Sequence, residues 1–341
     1  MSTWQSVGTV SAGRQNNFNL IRMIAASGVL VPHAFPISQG PAAVQPLERW
    51  LDGITLGTVC VIVFFVLSGF FITKSFDQGR DWRRFLRARA YRLFPALVTV
   101  LCVTVLVAGL FLTRSDAATF WRAAPAYILR HLTLVEPVYG LPGTFVDNPY
   151  GQPINGSLWT LFYEVLCYAA VFVAGIAGLL RRGPAAVAAL VVLAAASVAD
   201  EALDLPARLS NLADLALPFG LGGAIYLWRA QIPLSPLVAV GLAGLAGLAH
   251  GTAAFPLALT LALGYGAVLA GFVRWRPLLG YNRLGDYSYG TYIFAFPIQQ
   301  ILAATGVADP LTNMALALPA TCACAVLSWH LVEAPALALV R

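Results

Sequence analysis

Apolar residues fall along the chain in long runs separated by short polar segments. A helix that crosses a bilayer needs about 20 mostly apolar residues. Eleven runs approach that length, at approximately 18–36, 54–73, 93–113, 119–135, 157–180, 185–199, 211–228, 234–250, 255–273, 286–306 and 311–333. The run at 119–135 is the weakest, because it holds Arg122, Arg130 and His131. It reads as a short interfacial or re-entrant segment, which leaves ten spans. The pattern predicts an all-α fold, a polytopic membrane helical bundle of about ten transmembrane helices in a single domain over residues 1–341.

Charge orients this pattern. With both termini in the cytoplasm, the inner segments collect Arg14, Lys74, Arg80, Arg83, Arg84, Arg87, Arg89, Arg92, Arg181, Arg182, Arg229, Arg274, Arg276, Arg283 and Arg341. The outer segments collect Arg49, Arg114, Arg122, Arg130 and Arg208, so fifteen basic residues face five. Cytoplasmic loops carry the excess of Lys and Arg, and an eleventh span would put the later arginines on the wrong side. Composition agrees: 59% of residues are hydrophobic and 11% charged, against about 25% charged in soluble domains. The mean hydropathy is +0.76. The first run carries Arg22 and has no obvious cleavage site after it, so it reads as a retained span rather than a signal peptide. Cys60, Cys102, Cys167, Cys322 and Cys324 lie in apolar runs with no His or Cys cluster beside them, and read as small core residues rather than disulfide or metal ligands.

Against this background a few polar residues stand out. Arg22 and His33 both lie in the first span, eleven residues apart. Eleven helical residues make about three full turns plus ~20°, so the two share one stripe, ~16 Å apart along the axis. Ionisable groups in a span face a protein interior or cavity and mark functional sites. Pro32 is expected to kink the helix beside His33. Histidine is the usual general base, which makes His33 the leading catalytic candidate. His131, His250 and His330 sit near span ends, where a histidine is unremarkable. Glu164, in NGSLWTLFYEVLCY, lies some seven residues into its span and is expected at a similar depth. Its carboxylate would orient or stabilise the histidine. Ser68 in FFVLSGFFITKSF reads as a helix-packing residue rather than a nucleophile, and Tyr289 and Glu333 as cavity-lining groups, with Glu333, near the cytoplasmic end, equally suited to cap or pair there.

Two polar segments frame the spans. Residues 74–92, KSFDQGRDWRRFLRARAYR, space their arginines like one face of a short helix. They read either as an anchor for anionic lipid or as an anion site whose guanidinium forks match phosphate oxygens. Residues 114–156 are rich in Pro, Gly and aromatics and read as an ordered, substrate-facing outer loop.

The motifs Arg22-x10-His33, FFVLSGFFIT, RRFLRARAYRLFPAL, NGSLWTLFYE, GDYSYGTYIFAFP and SWHLVEAP, in that order, resemble the acyltransferase-3 family of integral membrane acyltransferases, which modify bacterial surface and exported glycans. The resemblance covers nearly the whole chain. It implies ten spans, acyl-CoA as donor co-substrate with no permanently bound cofactor and no metal, and catalysis centred on the first-span histidine. Arg22 and His33 carry over, as do Arg87, Arg89 and Arg92 near the coenzyme A, with Arg84 added from the same basic run. Many members have a histidine where this chain has Ala295, so no catalytic role is assigned there.

The expectation is therefore an O-acyltransferase of the bacterial cytoplasmic (inner) membrane. It would move an acetyl or other short acyl group to a glycan or lipid-linked oligosaccharide acceptor held by Asn155, Trp159 and Tyr289. The lipid bilayer and polysaccharide-assembly proteins are its candidate partners, and nucleic acid is not one. No fused extracytoplasmic esterase-like domain is expected beyond residue 341, so the transferase would act alone or with separate partners. The alternative is a glycolipid transporter or flippase using Arg22 and Glu164 as substrate or proton-relay groups. The lack of an internal repeat argues against it. A third reading is a structural subunit of a polysaccharide assembly complex.

Overall fold

A computed structural model of the chain describes residues 5–11, 13, 15–79, 81–181 and 183–340, with the side chains of residues 181, 200–203 and 276 also outside the description. Arg14, Arg80, Arg182 and Arg341, used above to orient the chain, lie outside the described residues. Among those described, the regular elements are helices: α1 (Val7–Ser11), α2 (Phe18–Gln39), α3 (Leu56–Gln78), α4 (Trp82–Val107), α5 (Ala117–Thr133), α6 (Trp159–Ile176), α7 (Gly183–Leu203), α8 (Ala207–Leu227), α9 (Pro236–Ala249), α10 (Phe255–Gly271), α11 (Arg276–Gly280), α12 (Ser288–Ala304), α13 (Pro310–Ser328) and α14 (Ala334–Ala338). Each of the eleven apolar runs contains helix. In lipid a segment must satisfy its backbone internally, and helices do this within one segment.

Among the described residues, five stretches are long and apolar enough to cross a membrane: Phe18–Gln39, Leu56–Gln78, Trp82–Leu112, Gly156–Ile176 and Pro310–Ala338. The residues of α7 up to Ala199, α9 and α10 form shorter apolar helices. α2 runs unbroken through Pro32 and Pro36. The basic segment is not a separate short helix. Its residues 74–78 end α3 and its residues 82–92 form the first turns of α4, which continues through a π-helical turn at Ala108–Leu112 for 31 residues in all. At ~1.5 Å per residue such a helix is about 46 Å long and exceeds the ~30 Å hydrocarbon layer, so its arginine-bearing turns extend beyond it.

The chain divides into two compact units. The first comprises residues 1–22, 58–85 and 163–284, and the second residues 23–57, 86–162 and 285–341. In the first, α3 and α8 meet with almost no side chain between them. A Cβ on Gly69 would stand 1.8 Å from the Phe219 carbonyl oxygen, and one on Gly222 would stand 1.8 Å from that of Val66. Only glycine permits such backbone approach. Around this contact Phe18, Val66, Phe70, Tyr226 and Val268 form a buried core. The start of α2 is tied to the end of α10, where helical carbonyls lack intrahelical partners. There the Asn17 Nδ2 donates to the carbonyls of Val273 at 2.6 Å and Ala270 at 3.4 Å.

The second unit is held differently. Along α12, Gln299 and Gln300 are fully buried amides. Gln299 Nε2 donates to the Leu30 carbonyl at 2.9 Å, and Asn313 Nδ2 donates to the Gln299 carbonyl at 3.1 Å. Gln300 receives Asn148 Nδ2 on its side-chain oxygen at 2.7 Å and donates to the carbonyls of Pro153 at 2.7 Å and Gly151 at 3.2 Å. The loop at 134–158 is thereby stitched to α12, and buried polar groups satisfied in this way rigidify a core.

Candidate active site

His33 stands on α2 in the second unit. Its imidazole lies edge-to-face against Phe296 of α12, with centroids 5.3 Å apart, and Phe296 in turn meets Tyr150 at 5.6 Å. The Nδ1 atom is buried and has no hydrogen-bond partner among the described residues. A buried ring nitrogen without a partner costs free energy, and His131 Nε2 is buried without one as well. No backbone carbonyl fixes the tautomer through Nδ1, and the ring can hold its proton on either nitrogen.

The other histidines are engaged. His131 Nδ1 bonds the Tyr127 carbonyl at 2.9 Å, and His330 Nε2 meets the Tyr287 hydroxyl at 3.2 Å. His250 packs on Phe255 with ring centroids 5.0 Å apart.

Arg22 lies eleven residues before His33 on the same helix, in the portion belonging to the first unit. There it lines a cavity of about 380 Å³ with Asn16, Phe18, Asn19, Phe71 and Asn282. Glu164, also in the first unit, accepts on Oε1 from the Ser68 hydroxyl at 3.2 Å and from the Tyr168 hydroxyl. Tyr168 follows Glu164 by four residues on α6, so helical geometry supplies that pair. Ser68 comes from α3 and could not be found from local sequence.

The arginines of α4 divide sharply. Arg83, Arg84 and Arg87 are exposed and Arg89 is half-buried. Arg92 is bound by two carboxylates: Asp286 Oδ2 at 2.6 Å and Glu333 Oε2 at 3.3 Å. Its guanidinium also lies over the rings of Tyr289 and Trp329, at 5.9 and 5.7 Å from their centroids. Ser288 donates to Asp286 Oδ1 at 2.5 Å, and Ser328 to Glu333 Oε1 at 3.0 Å. Glu333 is 1% exposed and sits in a π-helical turn, Trp329–Glu333. This cluster joins the RAYRLFP, GDYSYG and SWHLVEAP stretches. Sequence reasoning singled out each stretch but not their union, and it did not select Asp286; the only local signal was an acid immediately before a span.

Of the residues read as acceptor-binding, Asn155 is buried. It donates to the Ile293 carbonyl at 2.8 Å and accepts from the Ser157 amide at 3.3 Å. Tyr289 donates its hydroxyl to the Leu93 carbonyl at 3.0 Å. Trp159 remains 37% exposed.

Comparison with known proteins places this architecture. The profile of the acyltransferase-3 family, described as an acyltransferase domain, matches residues 15–331. An O-acetyl transferase of Shigella phage Sf6 is 29% identical over 331 residues, spanning 94% of this chain and 95% of its own. Nodulation protein 10 of Rhizobium leguminosarum bv. viciae is 27% identical over 368 residues, spanning 96% and 95%. No solved structure matches the chain. With several membrane-length apolar helices and a family match over nearly its whole length, this membrane protein belongs to the acyltransferase-3 family and is an acyltransferase.

Proposed function

We propose that the protein transfers an acetyl or other short acyl group from cytoplasmic acyl-CoA to a sugar hydroxyl of an exported polysaccharide or lipid-linked oligosaccharide. In this reading ten spans cross the bacterial cytoplasmic membrane, with both termini inside. The observation that carries it is His33: an imidazole with a buried, unpartnered Nδ1 on the helix that also bears Arg22. Similarity to an O-acetyl transferase supports a hydroxyl acceptor.

His33 takes the proton from the sugar hydroxyl as its oxygen attacks the thioester carbonyl. The C–O bond forms, the C–S bond breaks, and the coenzyme A thiolate receives the proton from the imidazolium. Basic catalysis of this kind contributes about 10²–10⁴-fold. Arg84, Arg87 and Arg89 hold the donor's phosphates, and Arg22 guides the donor arm along α2. The two carboxylates at Arg92 already neutralise its charge, so in this scheme it orders the end of the basic run beside those ligands.

The test is acetyl transfer from labelled acetyl-CoA to glycan by the purified, reconstituted protein. His33→Ala is expected to lower the rate by about 10²-fold or more while acetyl-CoA still binds. Full activity in that variant sinks the assignment of the base. Movement of glycolipid with no acetyl group added would favour a transporter instead.

A further inference from the structure

A base that takes a proton in a transfer reaction must be held to within a fraction of an ångström of its working position. In triads a third group does this through a hydrogen bond to the imidazole. His33 Nδ1 has no such bond among the described residues. The aromatic contact of its ring is instead with Phe296 of α12, 5.3 Å away between centroids with the planes at 75°. Phe296 is itself 3% exposed, so its ring has little room to move.

The position of Phe296 is set by a docked loop, and the docking follows from the residue after it. Pro297 has no N–H, so the Ile293 carbonyl, one turn earlier in α12, lacks its helical donor. Asn155 Nδ2 donates to that carbonyl at 2.8 Å. On the other side of Gly156, the Ser157 carbonyl accepts from the Tyr292 hydroxyl at 2.7 Å. Gly156 is thus tied to α12 through both neighbours, directly against the ring of Phe296. A Cβ on Gly156 would stand 2.8 Å from Phe296 Cε2 and Cζ, so a methyl group must displace the ring. One turn beyond Phe296, Gln300 accepts from Asn148 Nδ2 and donates to the carbonyls of Gly151 and Pro153. Between those anchors Tyr150 meets Phe296 at 5.6 Å. All of these residues belong to the second unit, with His33.

We propose that Phe296 is the positioning residue of His33, and that the loop at 148–157, docked on α12 through Asn155 and Gln300, fixes Phe296 through the bare backbone of Gly156. This rests on the reading of His33 as the general base. Phe296 acts through the imidazole, and the order of the loop reaches the base through one aromatic ring.

The experiment uses the full-length purified protein in vesicles, with labelled acetyl-CoA as donor and a glycan extract of native membranes as acceptor. Phe296→Ala is expected to lower kcat about 10²-fold, the cost of a misplacement of about 1 Å, with KM for acetyl-CoA unchanged. Phe296→Leu, which keeps an apolar wall, recovers part of the loss and carries the test if Phe296→Ala does not fold. Gly156→Ala lowers kcat in a protein that retains Phe296. In a His33→Ala background Phe296→Ala has little further effect, as residues acting as one unit are not additive. A second readout is independent of activity: the rate at which diethyl pyrocarbonate modifies His33, followed by mass spectrometry with the exposed His250 as reference. That rate is expected to rise severalfold in Phe296→Ala. Wild-type kcat in the Phe296 and Gly156 variants, or an equal loss with and without His33, overturns the positioning role. Full activity of His33→Ala overturns the base instead, and the modification rate then decides the contact by itself: a faster reaction in Phe296→Ala upholds it and a wild-type rate overturns it.

Discussion

In the first unit, α3 and α8 approach through Gly69 and Gly222, backbone against backbone, with an aromatic and aliphatic core around them. In the second, α12 is fastened by side-chain amides and by Arg92 between two carboxylates. Both are answers to the same difficulty. Lipid tails are as apolar as leucine, so burying hydrocarbon does not by itself drive helices together in a membrane. Close packing of small residues and buried polar contacts are the two remaining sources of specificity. The first is blind to the chemistry of the neighbour and sensitive to volume. The second tolerates changes of volume but not the loss of a partner. His33, whose Nδ1 has no partner among the described residues, sits in this second unit, where Gln299 Oε1, Asn313 Oδ1 and the Tyr127 hydroxyl are also buried without one.

The contrast can be broken most forcefully at Arg92. Arg92→Gln leaves Glu333 buried without its cation, and removing one member of a buried ion pair costs about 3–5 kcal/mol. A large drop in the melting temperature of the purified protein is expected, with part of it recovered in Arg92→Lys. A melt unchanged from wild type would show that the two carboxylates do not depend on the guanidinium. Next in size is Gly222→Ala, where a methyl group must force two backbones apart at an overpacking cost of about 1–3 kcal/mol. Gly241→Ala, where a Cβ meets nothing within 4 Å, serves as the neutral control in the same melting assay. Equal effects at the two glycines would refute the close-packing account.

The smallest expected effect is a pH dependence in the second unit. Burial pushes the His131 pKa below its ordinary 6.5, outweighing the hydrogen bond to the Tyr127 carbonyl. The folded protein therefore favours the neutral ring, while the unfolded chain takes up a proton as pH falls through 6.5. The stabilisation is complete above that value and declines below it toward the depressed folded pKa. Melting temperature should fall modestly from neutral to mildly acidic pH, and His131→Gln should flatten that slope. An identical slope in the variant would remove His131 as its source.

Much of this could be read along the chain because bilayer thickness converts length and hydropathy directly into helices. The apolar runs each carry helix, and the weakest, at 119–135, became α5, which is not among the five stretches long and apolar enough to span. The Arg22–His33 stripe needed only the period of one helix, and α2 is continuous between them. The basic run was legible as a cluster but not as two kinds of arginine, because what separates Arg92 from Arg84 lies 194 and 241 residues away. Asn155 illustrates the same limit. From sequence it is a polar residue in an outer loop, whereas in the structure both of its amide atoms are engaged inside the second unit.

The sequence by itself determined that the protein is helical and membrane-embedded, which family it resembles, and which helix carries an imidazole in step with an arginine. These follow from local periodicity, composition and the order of motifs along one dimension. Tertiary structure decided which polar groups are already spent on one another. Hydrogen bonds and ion pairs are satisfied by whichever partner folding brings near, at any distance along the chain. Only that accounting separates Arg92, held by Asp286 and Glu333, from His33, whose Nδ1 is without a partner among the described residues.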